Sequence, residues 1–397
     1  MKKGWQRRTI GEVCDLSTGG TPSRSKPEYF GGDIKWLVSG DINQGEIFDC
    51  EGRITEAGMK NSNAKPLPVN SVMIALNGQG KTRATVALLR TQATCNQSLV
   101  SISPRPSSDL LPEYLYANLH SRYEEIRRMT SDDDNDRRGL NMGLVRSIEI
   151  PVAPLSEQQR IVGLLDEAFD GLGTAKANAE KNLQNTRALF DYRLQSVMTQ
   201  GGPGWVETTL GEAFDVRDGT HDSPKYHATG YPLITSKNLK RGGLSFEDVN
   251  LISERDYRKI NERSAVHKGD VLFAMIGTIG NPTLVEVEPK FAIKNVALFK
   301  NPKRQSGAFL KHYLDSGMVI SKMTKEAKGA TQKFVGLGYL RSFPINLPPL
   351  ATQLRIVEEL DELSEETQRL AGLFERKLAS LVELGKSLLH HAFSGRL

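Results

Sequence analysis

Short apolar runs separated by turn residues alternate along the first 150 or so positions of the chain. The runs are VSGDI near 38–42, SVMIAL at 71–76, SLVSIS at 98–103 and SIEIPV at 147–152. Their length and β-branched content predict buried strands. One helix is predicted near 112–129, with a later counterpart near 308–327. This pattern is typical of an α+β domain whose sheet is interrupted by long loops.

After Pro154 the short runs give way to one long helical pattern. Ser156 is a suitable N-cap, and Gln159 completes a capping box three residues later. The apolar positions then alternate at spacings of three and four, which predicts a coiled-coil seam interrupted at Asn182 and Arg193. The seam residues are Leu165, Ala168, Leu172, Ala175, Ala179, Thr186 and Leu189.

A second seam runs through the last 50 or so residues, offset by 195 positions from the first and interrupted at Lys377 and His391. It consists of Leu360, Leu363, Thr367, Leu370, Phe374, Leu381, Leu384 and Leu388. Each helix is about 40–45 residues, or about 60–67 Å long. Two long helices with matching stripes predict an antiparallel coiled coil. It can serve as a spacer alone, or also dock a partner on its outer face.

The whole chain is an internal duplication. The block GWQRRTIGEV opens at Gly4 and GWVETTLGEA opens at Gly204, while IPVAPLSEQQRIVGLLDE is matched by INLPPLATQLRIVEELDE 195 positions later. This period is too long for a solenoid repeat of about 20–50 residues. We therefore predict two pseudo-twofold-related domains, each followed by a long helix. Their bounds are 1–155, 156–203, 204–350 and 351–397.

The amino-acid composition excludes fewer classes of function than the internal repeat does. The formal net charge of +5 permits a polyanionic partner without requiring one. The three cysteines, Cys14, Cys50 and Cys95, form no CxxC pair, which fits a reducing cytoplasm. The start of the chain lacks the apolar stretch of a signal peptide, and no apolar run approaches the ~20 residues of a membrane span. We expect a cytoplasmic protein.

The two copies agree in their frame and differ in their loops. Matched pairs include Ser39 with Ser236, Asp41 with Asn238, and Arg146 with Arg341. The segment at 18–32 differs sharply from that at 218–230, as does the segment at 77–85 from that at 276–283. A shared frame with divergent polar loops is typical of a recognition scaffold. Ordinary drift of surface loops after an old duplication is the alternative.

These loops carry side chains suited to DNA. Arg and Lys bond guanine O6 and N7, Asn and Gln pair with adenine, and Ser and Thr hold phosphates. Lys240 and Arg241 add charge to the second copy. The candidate DNA-binding residues are Thr21, Ser23, Arg24, Lys26, Ser39, Lys81, Arg83, Asn96, Gln97, Thr220, His221, Ser223, Lys225, Tyr226, Ser236, Lys237, Asn238, Thr278, Lys294, Asn295 and Lys333.

Other motifs point only weakly to catalysis. ALNGQGKT at 75–82 satisfies a relaxed phosphate-loop pattern, which would make Lys81 a nucleotide ligand, but the second copy has no such lysine. The acidic run at 131–136 is typical of a solvated loop, and no histidine pair has zinc-protease spacing. We expect no catalytic residues, no metal and no cofactor in this chain.

With its repeat, loops and proline blocks, the chain resembles the specificity (S) subunit of type I restriction-modification enzymes. The resemblance rests on GGTPSRSKPEYFGGDIKWLVSGDI, DGTHDSPKY, GYPLITSKNL, KGDVLFAMIGTIG, both Pro-Leu-x-x-Gln-x-Arg-Ile-Val blocks and the ending LLHHAFSGRL. It covers essentially the whole chain. The start of the second helix, Leu350–Gln353, lacks the Ser-Glu pair of the first. We therefore expect a weaker cap there.

The resemblance implies a non-catalytic subunit that binds double-stranded DNA. Each domain would be a target recognition domain reading half of a split, asymmetric sequence, and the helices would set the gap. Two methyltransferase subunits, which use S-adenosylmethionine, and up to two restriction subunits, which use ATP and Mg²⁺, would bind to it. Two alternatives stay open from the residues: a coiled-coil protein–protein scaffold without sequence-specific DNA binding, and a nucleotide-binding protein using Lys81.

Overall fold

The computed structural model describes residues 4–78, 80–130, 139–240, 243–330 and 332–397. The acidic run at 131–136 and Arg241 lie outside these residues. The contacts divide the chain into two compact units. Unit 1 is Met1–Asn178 with Lys377–Leu397, and unit 2 is Ala179–Arg376. Each unit therefore combines one globular part with part of both long helices.

The strands fall into two similar sets. Those of unit 1 are β1 Gln6–Thr9, β2 Cys14–Thr18, β3 Phe30–Leu37, β4 Glu46–Ile47, β5 Arg53–Ile54, β6 Val72–Ala75, β7 Val86–Leu89, β8 Thr94–Cys95, β9 Leu99–Pro104 and β10 Glu149–Val152. Those of unit 2 are β11 Val206–Thr209, β12 Asp215–Asp218, β13 Tyr226–His227, β14 Tyr231–Ile234, β15 Leu239–Lys240, β16 Gly243–Leu244, β17 Asn250–Ile252, β18 Val271–Ala274, β19 Gly280–Leu284, β20 Ala292–Ile293, β21 Val296–Lys300 and β22 Pro344–Leu347.

The helices follow the same duplication. They are α1 Ile10–Val13, α2 Glu56–Lys60, α3 Pro112–Ser121, α4 Tyr123–Arg128, α5 Met142–Ser147, α6 Leu155–Gln200, α7 Leu210–Ala213, α8 Glu254–Ser264, α9 Gly307–Asp315, α10 Gly317–Glu326, α11 Leu337–Ser342 and α12 Leu350–Ser394. Short 3-10 helices lie at Pro27–Tyr29, Ser39–Gln44, Pro106–Ser108 and Ser236–Asn238.

Each unit contains two main sheets and a two-stranded ribbon. In unit 1 the sheet orders are β2-β9-β6-β7-β4 and β5-β3-β8, with the ribbon β1-β10. In unit 2 they are β12-β21-β18-β19 and β13-β17-β14-β20, with the ribbon β11-β22 and the hairpin β15-β16. The predicted α+β class, with two similar domains and long helices, is confirmed.

The repeated sequence blocks form repeated local structure. The backbone N–H of Thr9 donates to the Glu12 carboxylate at 2.9 Å, and that of Thr209 donates to Glu212 at 3.1 Å. Each bond closes the start of a one-turn helix, α1 or α7. Gly4 and Gly204 have positive φ and lie against Pro154 and Pro349, so the two repeated blocks of each unit meet.

Three predicted local structures are wrong. The strand predicted at 38–42 is replaced by the 3-10 helix Ser39–Gln44, because Asp41 accepts the Val38 N–H at 2.8 Å and closes a turn. The predicted helix at 112–129 breaks at Arg122, and its counterpart at 308–327 breaks at Ser316.

The predicted capping of the long helices is also wrong. Ser156 lies within the first turn of α6 and does not precede it. Both helices start at the proline: the Pro154 carbonyl accepts the N–H of Gln158 at 3.0 Å, and the Pro349 carbonyl accepts that of Gln353 at 3.0 Å. The same backbone contact with a proline carbonyl thus begins both helices, whereas the expected weaker second cap assumed Ser156 as the N-cap of the first.

The coiled-coil seam matches the prediction except at one repeated position. Leu189 and Leu384, 195 residues apart, are each 49% exposed. The neighbouring Phe190 is half-buried and Gly385 is buried. A straight α-helix drifts by about 20° per heptad relative to a 3.5-residue repeat, so the buried stripe moves to the next residue. Within unit 2, Arg187 bonds Glu375 at 2.8 Å across the two antiparallel helices.

Candidate nucleic-acid interface

The first variable loop of unit 1, residues 18–32, crosses the end of strand β8. The N–H of Gly20 donates to the Cys95 carbonyl at 3.0 Å, and the indole N–H of Trp36 donates to the Gly20 carbonyl at 3.0 Å. A Cβ on Gly19 would lie 1.7 Å from the Cys95 carbonyl oxygen. Glycine is therefore required at this crossing.

The variable loop of unit 2 crosses β20 in the same way. The N–H of Thr220 donates to the Ile293 carbonyl at 3.0 Å, and a Cβ on Gly219 would lie 2.3 Å from the same oxygen. The glycines near the start of the two variable loops, Gly19 and Gly219, thus let both loops lie against a strand end, although the loops share little sequence.

In each unit, the residue that follows the crossed strand also makes a backbone hydrogen bond to the neighbouring strand. Asn96 N–H donates to the Leu37 carbonyl at 2.9 Å, and Lys294 N–H donates to the Ile234 carbonyl at 2.8 Å. Strand β8 runs parallel to β3, as β20 does to β14. Asn96 and Gln97 therefore occupy the places of Lys294 and Asn295, which is the pairing predicted from the sequence.

One side-chain pair bridges the crossing in each unit. In unit 1 the Thr21 hydroxyl donates to Gln97 Oε1 at 2.7 Å. In unit 2 His221 Nδ1 lies 2.8 Å from Asn295 Oδ1. We call these two pairs the crossing pairs. The two pairs lie at equivalent register positions, although Asn295 has a positive φ of 54° that Gln97 does not share, and their side-chain chemistry differs.

His221 is held on both sides. Its Nε2 lies 2.8 Å from a carboxylate oxygen of Asp218, so both ring nitrogens face oxygen acceptors. Both contacts are hydrogen bonds only when both nitrogens carry protons. The bond to Asn295 and then the bond to Asp218 raise the His221 pKa above its ordinary value. The second crossing pair therefore favours an imidazolium.

Asp218 is a site residue that the sequence analysis missed. Its side chain is only 12% exposed and its carboxylate also pairs with Arg263, while its carbonyl accepts the Ser264 hydroxyl at 2.7 Å. It lies three residues before His221, the side chain that it supports. Its partner Arg263 comes from helix α8, which no local sequence signal connects with the loop.

The raised pKa of His221 gives a direct prediction. In an NMR titration of the histidine rings, His221 should titrate above the ordinary value of 6.5. The substitution Asn295→Ala removes its first partner and should lower that pKa, while buried His312, whose pKa burial lowers, should not shift. A His221 midpoint that is the same in both proteins would contradict the assigned bond.

The remaining candidates of unit 1 are mostly exposed. Lys26 Nζ bonds the Tyr29 hydroxyl at 3.2 Å, which raises the lysine pKa, and Ser23 bonds Ser25 at 2.8 Å. Arg24 and Lys81 are exposed, and Ser39 is half-buried at the start of a 3-10 helix. Arg83 is half-buried, and its Nε has no hydrogen-bond partner among the described residues.

The remaining candidates of unit 2 divide into exposed and structural groups. Lys294 Nζ bonds the Ser223 hydroxyl at 2.6 Å. Lys333 Nζ reaches the Thr324 carbonyl at 3.4 Å. Ser236 is half-buried and begins a 3-10 helix. The exposed candidates are Lys225, Tyr226, Lys237 and Thr278.

Asn238 belongs to the frame of its loop. It is 4% exposed, and its oxygen accepts the Thr235 N–H at 3.0 Å, as Asp41 accepts the Val38 N–H in unit 1. Its amide nitrogen donates to the Ser245 carbonyl at 3.2 Å. The predicted equivalence of Asp41 with Asn238 therefore rests on a shared capping role.

The Lys81 segment does not have the structure of a nucleotide-binding loop. In a phosphate loop a helix begins at the lysine. Here residues 80–85 form turns and lead into strand β7, and the Lys81 carbonyl accepts the Tyr123 hydroxyl at 2.9 Å. The side chain of Lys81 is exposed on this turn.

Two kinds of feature are not found in the part of the chain that the structure describes. No group of three or more His, Cys, Asp or Glu side chains is arranged there to hold a metal ion. No helix within the same residues combines the length and apolar character needed to cross a bilayer.

Comparison with known proteins identifies the family. The profile of the type I restriction modification DNA specificity domain matches twice, at residues 2–182 and 203–373. The chain belongs to the type I restriction-modification DNA specificity family. The two matches each contain one crossing pair, so the duplication seen in the sequence is a duplication of this domain.

Specificity subunits from distant organisms are similar to the chain. That of the Escherichia coli type I restriction enzyme EcoR124I/EcoR124II is 32% identical over 167 residues, 42% of this chain and 41% of the relative. That of the MjaIX enzyme from Methanocaldococcus jannaschii is 22% identical over 381 residues, 88% of this chain and 84% of the relative.

Solved structures share the fold over the full chain. The crystal structure of the HsdS subunit from Thermoanaerobacter tengcongensis has a TM-score of 0.72 at 20% identity, covering 100% of this chain and 98% of the other. A chain from a study of complex assembly in the type I R-M system has a TM-score of 0.77, also at 20% identity, covering 100% and 99%.

Proposed function

We propose that this chain is the DNA sequence-recognition subunit of a type I restriction-modification complex. Unit 1 reads one half of a split, asymmetric target, and unit 2 reads the other. The observation that carries this proposal is the crossing pair, where equivalent register positions of the two units present different side chains. Two copies of one domain that bind different DNA sequences need different side chains at the positions that contact DNA. The rest of the fold can stay the same in both copies.

The same proposal makes the chain a scaffold without catalysis of its own. The long helices join the two units, and the family profile extends into both helices, at 2–182 and 203–373. Two methyltransferase subunits, carrying S-adenosylmethionine, and up to two restriction subunits, carrying ATP and Mg²⁺, would bind to it. The proposed function therefore includes scaffolding. The loops that read DNA distinguish this protein from one that acts only as a scaffold.

Lysines in the loops test the DNA contact. Lys81→Ala in unit 1 and Lys237→Ala in unit 2 each remove one exposed charge. If each lysine contacts one phosphate, each change should weaken binding by about 3- to 10-fold at ~0.1 M salt and reduce the slope of log K against log salt by about 1. The measurement is fluorescence anisotropy of the complex with the methyltransferase subunit on target DNA.

The matched control removes an equal charge elsewhere in unit 1. Lys60 lies on α2, is exposed and pairs with Glu56 at 3.4 Å. Lys60→Ala should leave both the affinity and the salt slope unchanged. Equal affinity and slope for all three variants and the wild type would contradict the two lysine assignments. Equal affinity of the wild type for target and scrambled DNA would contradict sequence recognition itself.

A further inference from the structure

The crossing pairs leave one amide group free in each unit. Gln97 Oε1 accepts the Thr21 hydroxyl, and Asn295 Oδ1 accepts from His221. In both cases the oxygen faces the partner side chain, so the amide nitrogen with its two N–H groups is turned away from it. Gln97 is exposed and Asn295 is half-buried. No acceptor for either amide nitrogen is found among the described residues.

The residues beside the amides are engaged within their own loops. Asn96 Oδ1 accepts the Ser98 N–H at 3.0 Å, and Lys294 Nζ donates to the Ser223 hydroxyl. Asn96 therefore stabilises the turn before β9, and Lys294 joins two parts of the unit 2 loop. The amide N–H groups of Asn96 and further N–H groups of Lys294 are donors as well, but in Gln97 and Asn295 a side chain of the variable loop holds the amide oxygen and so fixes the direction of the amide nitrogen.

The two crossing pairs present different chemistry at equivalent register positions of the repeat. Unit 1 presents an amide beside a neutral hydroxyl. Unit 2 presents an amide beside a histidine supported by Asp218, on a rim that also carries Asp222, Asp256, Lys259 and Arg263. Amide N–H groups can donate to N7 or O6 of guanine, N7 of adenine or O4 of thymine in the major groove.

We propose that the crossing pairs are specificity-determining residues, each setting one base pair at the equivalent place of its half-site. Thr21 and His221 are positioning residues, because they hold the amide oxygen and turn the amide nitrogen outward. Gln97 and Asn295 contact the base edge. This inference rests on the proposed function and adds to it which of the many loop residues choose the base.

The test exchanges the pairs between units. The double substitution Thr21→His with Gln97→Asn gives unit 1 the side chains of unit 2, and His221→Thr with Asn295→Gln does the reverse. Each protein is purified with its methyltransferase subunit, and its preference is measured by in vitro selection from a randomised DNA library. Selection reports base preference even where methylation is slow.

Each exchange should change one base-pair position in one half-site. The wild-type preference there should fall by about 10- to 100-fold, in line with the about 1–3 kcal/mol of discrimination from a good base contact. The other half-site and the gap should stay as in the wild type. The control is Gln92→Asn, a change of the same kind at an exposed glutamine of unit 1, which should leave the whole preference intact.

The selections distinguish a failure of the inference about the crossing pairs from a failure of the proposed function. If both exchanged proteins keep the wild-type preference at every position, the crossing pairs do not determine specificity, although the proposed function stands. If an exchange lowers affinity for every sequence equally, the pair contacts the backbone and the inference is likewise wrong. If the wild-type complex selects no split sequence, the proposed function itself fails.

Discussion

Replacing Asp270 by serine should lower the free energy of unfolding of unit 2 by about 3–5 kcal/mol. The side chain is 3% exposed, and its carboxylate accepts hydrogen bonds from the Lys300 ammonium at 2.5 Å, the His267 N–H at 2.7 Å and the Asn301 N–H at 2.9 Å. A single change leaves the Lys300 charge in a largely buried place and removes the acceptor of two backbone donors. Urea unfolding followed by circular dichroism measures the loss.

Unit 1 supplies the compensating change. By strand register, Ser71 and Ser103 occupy the places of Asp270 and Lys300, and their hydroxyls lie 2.8 Å apart. Adding Lys300→Ser to Asp270→Ser removes the unpaired charge and builds the hydroxyl pair of unit 1. The double variant should recover about 1–3 kcal/mol of the loss, because the unpaired charge is gone while the N–H groups of His267 and Asn301 still lack their acceptor. A double variant as unstable as the single one would contradict the equivalence.

Replacing Gln158 by leucine should cost about 2–4 kcal/mol of unfolding free energy. This buried amide accepts the Leu111 N–H at 2.9 Å and donates to the carbonyls of Asp109 at 2.8 Å and Ala153 at 2.7 Å. It thereby fixes the start of α6 to the loop that leads into α3. Leucine fills the space but leaves a buried donor and two buried acceptors without partners.

Two other glutamines serve as comparisons for Gln158→Leu: Gln353, its counterpart in unit 2, and Gln159, its neighbour in the chain. Gln353 makes the same kind of clamp in unit 2, through the Ser306 N–H at 2.9 Å and the Pro348 carbonyl at 2.8 Å, so Gln353→Leu should cost a similar amount. Gln159 is exposed, and Gln159→Leu should change stability by no more than about 0.5 kcal/mol. A larger loss for Gln159 than for Gln158 would restore the capping box predicted from the sequence.

The parts of the fold that local sequence determines were predictable. The duplication, the two long helices and the strands at 71–76, 98–103 and 147–152 follow from apolar periodicity, and the structure has them. The strand predicted at 38–42 was wrong because a side-chain bond of Asp41 closes a turn there. The Pro-Leu-x-x-Gln block was recognised as a repeat, but its glutamine acts through residues about 47 positions away.

The sequence predicted which loops form the candidate site, but not which of their side chains contact each other. The sequence alignment paired Asn96 with Lys294 and Gln97 with Asn295, and the backbone contacts confirm the pairing. The bonds from Thr21 and His221 join residues 76 and 74 positions apart, so no local pattern could show which loop residues meet. Asp218 was missed because its role depends on its burial and on Arg263 of a separate helix.

The most direct test of the central claim is to express the chain with its methyltransferase subunit in a host without other adenine methylation and to map methylated adenines across the genome. The account predicts one motif in two unequal halves separated by a gap of fixed length. A stable complex of the two subunits that methylates no defined motif would contradict it.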